Sequence, residues 1–155
     1  MNHAYSSSGA GGFTLIELMI TLLVVAILSA IAYPIYEHQV QESRRTEART
    51  ALLELAAREE RYYATNSAYT TSASLLGYTS AAGSWPIVIG SGYYEMDEPA
   101  VPASGISAPS FSLTAVPVAS GPQASDSTCA SFTVDSTGQE TAADSSGGDT
   151  SSTCW

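Results

Sequence analysis

The chain has 155 residues, which leaves room for one modest domain beside a long apolar segment near the N-terminus. Its 15 acids and 5 bases give a formal net charge of −10, and every base is an Arg between Arg44 and Arg61. The residues after Arg61 carry eight acids and no base, so this half would repel a polyanion. The composition therefore makes direct nucleic-acid binding an unfavourable hypothesis.

The segment from Phe13 to Tyr36 is almost wholly apolar, interrupted by Glu17 near its start and Pro34 near its end. As a helix it would be about 36 Å long, enough to cross a bilayer core of about 30 Å. A carboxylate in such a run is costly unless it is paired, neutralised or half-solvated at the bilayer interface. Pro34 lacks an amide hydrogen and predicts a bend in the helix.

Residues 1–12 are polar and small, and no cleavage site typical of a secretory signal follows the apolar run neatly. The junction reads Gly12-Phe13-Thr14-Leu15-Ile16-Glu17-Leu18. It resembles the processing motif of type IV prepilins and type II secretion pseudopilins. The resemblance implies cleavage by prepilin peptidase between Gly12 and Phe13 and N-methylation of Phe13. It also implies that Glu17 meets the Phe13 amine of a neighbouring subunit and enforces register, because a misplaced carboxylate would stay uncompensated.

The segment 37–63 continues the helix but becomes amphipathic. An apolar stripe at helical spacing predicts a face that docks on a sheet: Val40, Ala48, Leu52, Leu55, Ala56 and Tyr63. Charged residues are predicted on the opposite, solvated face: Glu37, Glu42, Arg45, Arg49, Arg58 and Glu59. Several of these charges have the spacing of ion pairs along a helix, and a solvated face is favoured over a DNA site for the Arg cluster.

Residues 64–155 form a predicted globular head. A loop with a short helical turn at 72–76 comes first, and Gly90-Ser91-Gly92 then separates two short strands as in a hairpin. Alternating apolar and polar residues predict further strands at 111–115 and 129–134, with a turn at 135–138. Three or four antiparallel strands on a helix make an α+β fold, of the type IV pilin kind that the resemblance implies.

The two cysteines, Cys129 and Cys154, indicate one disulfide if the chain leaves the cytoplasm, although two free buried thiols are the alternative. Residues 139–153 are poor in apolar side chains, and a bridge would pin this tail to the last strand. Pilins resemble this arrangement, with a C-terminal loop closed onto the sheet by a disulfide. Asp126-Ser127-Thr128-Cys129 and Cys154-Trp155 look like the PilE-type minor pilins in particular.

No catalytic constellation or cofactor motif is visible in the sequence, so the prediction is a protein that is not an enzyme and holds no metal. Calcium binding by scattered Asp residues is a weaker alternative, since their spacing matches no EF-hand loop.

The resemblance implies a structural subunit of a type IV pilus, of the minor-pilin kind, that supports pilus biogenesis, twitching motility or adhesion. Its partners would be other pilin subunits, prepilin peptidase and the pilus assembly machinery. Its location would be the bacterial inner membrane before assembly and the extracellular pilus, or fimbrium, afterwards. A type II secretion pseudopilin and a competence-type DNA-uptake pilin are the alternatives.

Overall fold

The computed structural model describes residues 12–78, 84–102 and 108–155, so the predicted leader, residues 1–12, lies outside the described chain except for Gly12. Two helices, five strands and a short 3-10 turn are described. In chain order they are α1 (Leu15–Asn66), β1 (Ile87–Ile89), β2 (Tyr94–Met96), β3 (Ser112–Pro117), the 3-10 turn (Pro122–Ser125), β4 (Ser131–Asp135), β5 (Glu140–Ala143) and α2 (Ser151–Cys154).

Helix α1 runs for 52 residues without interruption and contains Pro34. It begins after Thr14, whose side-chain oxygen accepts the backbone N–H of Glu17 at 3.3 Å. This satisfies one of the N–H groups that the first helical turn leaves free. The helix ends at Asn66 because Ser67 adopts a positive φ of 54°, a conformation common just beyond helix C-termini.

The chain divides into two compact units between Gln39 and Val40. The second unit contains a five-stranded antiparallel sheet whose strands follow one another in sequence order, β1-β2-β3-β4-β5. The predicted hairpin is present, with Ile89 opposite Tyr94 and the Gly92 N–H donating to the Ile89 carbonyl at 2.9 Å. The predicted α+β pilin-like fold is thus confirmed.

The core of this unit lies between α1 and one face of the sheet. Ala48, Leu52 and Leu55 from the predicted helix stripe are fully buried, which confirms its docking role. They belong to one hydrophobic cluster with the inward-facing side chains of the strands, including Tyr94, Met96, Leu113, Ala115, Phe132 and Val134. The strands alternate buried and less buried residues, as expected for a sheet with one face on the core.

Two expectations about the helix are wrong. Arg45 is 5% exposed and Glu59 is 0% exposed, so neither lies on the solvated face. The reason is helical phase, because both positions lie three or four residues beyond an end of the buried stripe from Ala48 to Leu55. None of the other four predicted charged positions, Glu37, Glu42, Arg49 and Arg58, is buried, and Arg58 pairs with Glu54 one turn away.

The C-terminal segment is more ordered than its composition predicts. Residues 140–143 form the fifth strand, and residues 151–154 form a short helix. Strand β5 contains little apolar surface, but every residue of it pairs with β4. The Ala142 N–H also donates to the hydroxyl of Ser151 at 2.9 Å. At the predicted helical turn, the Leu76 N–H donates to the Ser72 carbonyl at 3.2 Å.

Candidate functional site

The start of α1 places the predicted processing and register residues side by side. Phe13, Glu17, Leu18 and Thr21 line a small groove of about 210 Å³. Glu17 is exposed and lies in the first turn of the helix, where the helix dipole favours a negative charge. Its carboxylate makes no ion pair or side-chain hydrogen bond with any described residue. This arrangement leaves it available to a positive group from outside the chain.

The rest of the first unit is an apolar surface without a partner in the described chain. Its large apolar side chains are all exposed, with exposed fractions between 47% at Val24 and 85% at Phe13. The most apolar stretch of α1 is not buried by any described part of the chain. By length and composition the helix is able to cross a membrane. A helix that is apolar all round needs lipid or other helices to cover it.

The helix continues through Pro34, and a polar pair spans this position. The Tyr33 hydroxyl donates to Glu37 Oε1 at 2.6 Å, one turn further along. Pro34 cannot donate a backbone hydrogen bond, so one carbonyl of the preceding turn lacks its helical partner. The predicted bend at Pro34 stays a prediction.

The head is closed by the predicted disulfide between Cys129 and Cys154. Both residues are fully buried, and their Cα atoms are 5.8 Å apart. The bridge joins residues 25 positions apart and fastens helix α2 to the segment just before β4. In the chain-entropy model a loop of this size stabilises a fold by roughly 3 kcal/mol. Trp155 adds a second attachment, because its indole N–H donates to the Thr141 carbonyl and its ring packs against Phe132.

A buried polar cluster beside this disulfide was not predicted from the sequence. The Arg45 guanidinium donates to Asp126 through Nε at 2.7 Å and through Nη2 at 2.9 Å. Asp126 also accepts from Gln123 Nε2 at 2.9 Å and from the Cys129 backbone N–H at 3.2 Å. The hydrogen bond to Asp126 raises the pKa of Arg45, and burial raises the pKa of Tyr94 nearby to about 12, so the tyrosine stays neutral.

The five Arg side chains of α1 supply all the positive side-chain charge of the Arg/Lys type, and most of them are engaged within the chain. The described residues include every Arg and every acid of the chain. Arg45 is buried against Asp126, Arg49 pairs with Glu42 at 2.9 Å, and Arg58 pairs with Glu54 at 2.6 Å. The Arg44 guanidinium lies 4.1 Å from the centre of the Tyr93 ring. Only Arg61 has no ion pair, hydrogen bond or stacking partner among the described residues.

Comparison with known protein families decides the class. A family model described as "Type IV minor pilin ComP, DNA uptake sequence receptor" matches residues 34–133, which is more than half of the chain. A second model, "Prokaryotic N-terminal methylation motif", matches residues 7–33. The chain belongs to the type IV pilins. The two matches meet at Pro34 and so cover the apolar helix and most of the head.

Two relatives of this pilin agree with that assignment. The type IV major pilin protein PilA of Myxococcus xanthus (strain DK1622) is 35% identical over 72 residues, which is 46% of this chain and 33% of PilA. The fimbrial protein EcpC of Eikenella corrodens is 54% identical over 37 residues, which is 24% of each chain. The pilin therefore spans only a third or less of the length of either relative in these alignments.

The type IV pilin family is one of structural proteins rather than enzymes. Within the described ranges 12–78, 84–102 and 108–155, no cluster of three or more His, Cys, Asp or Glu residues could hold a metal ion. The roles predicted for Gly12, Phe13 and Glu17 stay predictions, because the single chain shows their surroundings and no partner.

Proposed function

We propose that the pilin is a minor structural subunit of a type IV pilus. It is held in the inner membrane by residues 13–36, cleaved after Gly12, methylated on Phe13 and then polymerised through α1. The observation that carries this proposal is the exposed apolar helix, most of whose membrane-spanning part lies within the match to the N-terminal methylation motif. Such a surface can be covered first by lipid and later by the helices of other subunits. The filament would support pilus biogenesis, twitching motility or adhesion.

Glu17 has a specific part in this proposal. Its carboxylate lies one turn from the new N-terminus and has no partner in the described chain. In a filament of staggered helices, the methylated Phe13 amine of one subunit meets Glu17 of another. The charge pair would enforce register more than it would add stability, because a misplaced Glu17 stays buried and unpaired.

Substitution of this residue tests the register role. Glu17→Ala should leave the amount of pilin in the membrane unchanged and lower its amount in sheared filaments about tenfold or more. Thr21→Ala, one turn further along the same groove, is the matched control and should assemble normally. Normal incorporation of Glu17→Ala would refute the role of Glu17 while leaving the subunit assignment intact.

The decisive experiment for the proposal as a whole is mass spectrometry of the mature N-terminus, on pilin recovered from membranes and from sheared filaments. The expected terminus is N-methyl-Phe13. A mature chain that begins elsewhere would refute processing at Gly12. A chain that is absent from surface filaments, in cells whose protein secretion fails without it, would instead identify a type II secretion pseudopilin.

A DNA-uptake role is the second candidate, and the description of the matched family model favours it. The charge distribution disfavours it, because four of the five Arg side chains contact their own chain and the residues after Arg61 carry eight acids. We therefore expect purified filaments that contain the pilin to show no salt-sensitive DNA binding beyond that of filaments lacking it. Tight DNA binding that weakens steeply with salt would make the DNA-uptake role the favoured candidate.

A further inference from the structure

Glu59 is a buried carboxyl group that has no cation beside it. It lies on the same face of α1 as Leu55 and is 0% exposed. Its Oε2 accepts the backbone N–H of Thr70 at 3.1 Å, whereas Oε1 has no hydrogen-bond partner among the described residues. No ion pair joins it to a cation in the described part of the chain. In this it differs from Arg45 and Asp126, whose buried charges compensate each other.

The titratable groups close to Glu59 cannot neutralise its charge. Glu60, next to it on α1, is an acid, and Tyr69 lies on the segment that follows the helix. Burial and a hydrogen bond to Glu60 raise the pKa of Tyr69 to about 12, so the tyrosine stays neutral. Burial, and then the charge of Glu60, raise the pKa of Glu59 above its ordinary value, although the hydrogen bond from Thr70 lowers it. The folded head therefore favours the protonated form of Glu59.

Residues 67–72 include the amide that binds this carboxyl, and they are held by few contacts. We call them the flap. None of the six residues is buried. Besides Thr70, the main attachment is Tyr69, whose ring stacks on Tyr63 and meets the ring of Phe111 edge-on. Segments with few buried side chains open locally at a lower free energy than the packed core of a domain.

The flap lies between two fixed points. It begins where α1 ends, and directly after it Ala73 and Leu76 are buried in the core, 3% and 4% exposed. The Leu76 carbonyl also accepts a hydrogen bond from Arg58 of α1 at 2.7 Å. Between these points the Trp85 indole donates to the Thr71 carbonyl at 2.7 Å, in an exposed contact. The flap can therefore move while the rest of the head stays folded.

We propose that the flap is a pH-sensitive cover, closed while Glu59 is protonated and locally open when Glu59 is ionised. Under the closed flap an ionised Glu59 is a buried charge with one hydrogen bond and no cation, which is a costly arrangement. Opening lets water reach the carboxylate and removes that cost. It also uncovers Phe111, which is 4% exposed in the closed head. The head then presents an apolar surface beside a carboxylate at neutral pH and covers it in acid. This behaviour belongs to the head alone and does not depend on the proposed pilus function.

Amide hydrogen exchange of the full-length pilin in detergent micelles, followed by NMR over a pH series, tests the flap. Each rate is converted to a protection factor, because the exchange rate of an unprotected amide itself changes with pH. Protection of the Thr70 N–H should be constant below pH 4.5, the ordinary pKa of Glu59. Above that pH it should fall about fivefold or more, as expected when a buried polar group is left uncompensated. Val134 in β4 should be more protected than Thr70 at every pH, because β4 opens only when the whole head unfolds.

Two variants separate the effect of Glu59 from that of its neighbour. Glu59→Gln keeps an acceptor for the Thr70 N–H but cannot ionise, so Thr70 protection should become independent of pH to within about twofold. Glu60→Gln is the matched control, since it removes an exposed carboxylate one residue away and should keep most of the fall in protection. A measurement on the unchanged chain needs no variant. The ¹³C signal of the Glu59 side-chain carboxyl should titrate over the same pH range in which Thr70 loses protection.

Four results would overturn the proposal. Constant protection of Thr70 over the whole pH series would show that the flap does not respond to Glu59. A loss of protection that persists in Glu59→Gln and vanishes in Glu60→Gln would assign the response to the contact between Glu60 and Tyr69. Equal protection of Thr70 and Val134 at every pH would show that Glu59 acts only through unfolding of the whole head. If Glu59→Gln does not accumulate, a carboxyl titration that fails to coincide with the loss of protection decides against the flap.

Discussion

Replacement of Asp126 by Ala should destabilise the head more than any surface substitution. Asp126 is 5% exposed and accepts four hydrogen bonds, two of them from Arg45. Its removal leaves a buried guanidinium whose remaining ion-pair partner is Glu42 at 3.2 Å. Breaking a buried ion pair by removing one partner typically costs about 3–5 kcal/mol. That is a large fraction of the roughly 5–15 kcal/mol by which domains are stable.

The same principle predicts a much smaller effect when both charges are removed together. Replacement of a buried pair by apolar residues of similar volume is often neutral or stabilising. We therefore expect the free energy of unfolding of the double variant Arg45→Met, Asp126→Leu to lie within about 2 kcal/mol of that of the unchanged chain. This holds although Gln123 and the Cys129 N–H lose an acceptor. The double variant should thus be more stable than Asp126→Ala.

Chemical denaturation of the full chain in detergent micelles, with the disulfide intact, measures these differences. Near-ultraviolet circular dichroism follows the packed aromatic residues of the head, among them Tyr94, Phe132 and Trp155. Arg49→Met, which removes a more exposed ion pair with Glu42, is the matched control and should cost less than about 1 kcal/mol. If Asp126→Ala lowers the free energy of unfolding by less than about 1 kcal/mol, the reasoning is wrong, because that is the size of effect expected for a solvent-exposed ion pair.

Three further predictions concern the head. Burial raises the pKa of Glu59 above its ordinary value of 4.5, so this carboxyl loses its proton at a lower pH in the unfolded chain than in the folded chain. The free energy of unfolding therefore falls as the pH rises above 4.5. Glu59→Gln should flatten this part of the curve when chemical denaturation is repeated over a series of pH values. Reduction of the disulfide, or Cys154→Ser, should cost roughly 3 kcal/mol in the same denaturation assay. Gly90→Ala should cost about 1–3 kcal/mol in thermal unfolding, because φ is +45° and the new Cβ would overlap Glu47 Oε1. An unchanged unfolding midpoint would show that this turn relaxes freely.

Local patterns in the sequence predict the elements that depend on local physics. The apolar run and the stripe from Ala48 to Leu55 predict a long helix with one docking face. The two glycines at Gly90 and Gly92 predict the hairpin, and both adopt positive φ there. The alternation before and after Leu113 predicts β3. In each case the preference of a short segment agrees with the final fold.

The parts that were not predicted depend on contacts between distant residues. Strand β5 contains only Ala as apolar side chains, and it is held by β4, by Ser151 and by Trp155. The partner of Arg45 lies 81 residues away, so no local pattern identifies Asp126. The burial of Arg45 and Glu59 could have been predicted from helical phase alone. It was missed because charged residues are rarely buried unless they are paired.

The two buried charges also bear on how the helix is positioned against the sheet. Arg45 and Glu59 lie at opposite ends of the apolar stripe that includes Leu52, and each binds a different loop. Arg45 binds Asp126 before β4, whereas Glu59 accepts the backbone N–H of Thr70 at 3.1 Å. A shift of α1 by one turn that brings Gln41 to the place of Arg45 would leave Asp126 buried without its cation, at a cost of several kcal/mol. Hydrophobic contact therefore holds α1 on the sheet. The buried pair of Arg45 and Asp126 fixes the position of α1 along the sheet.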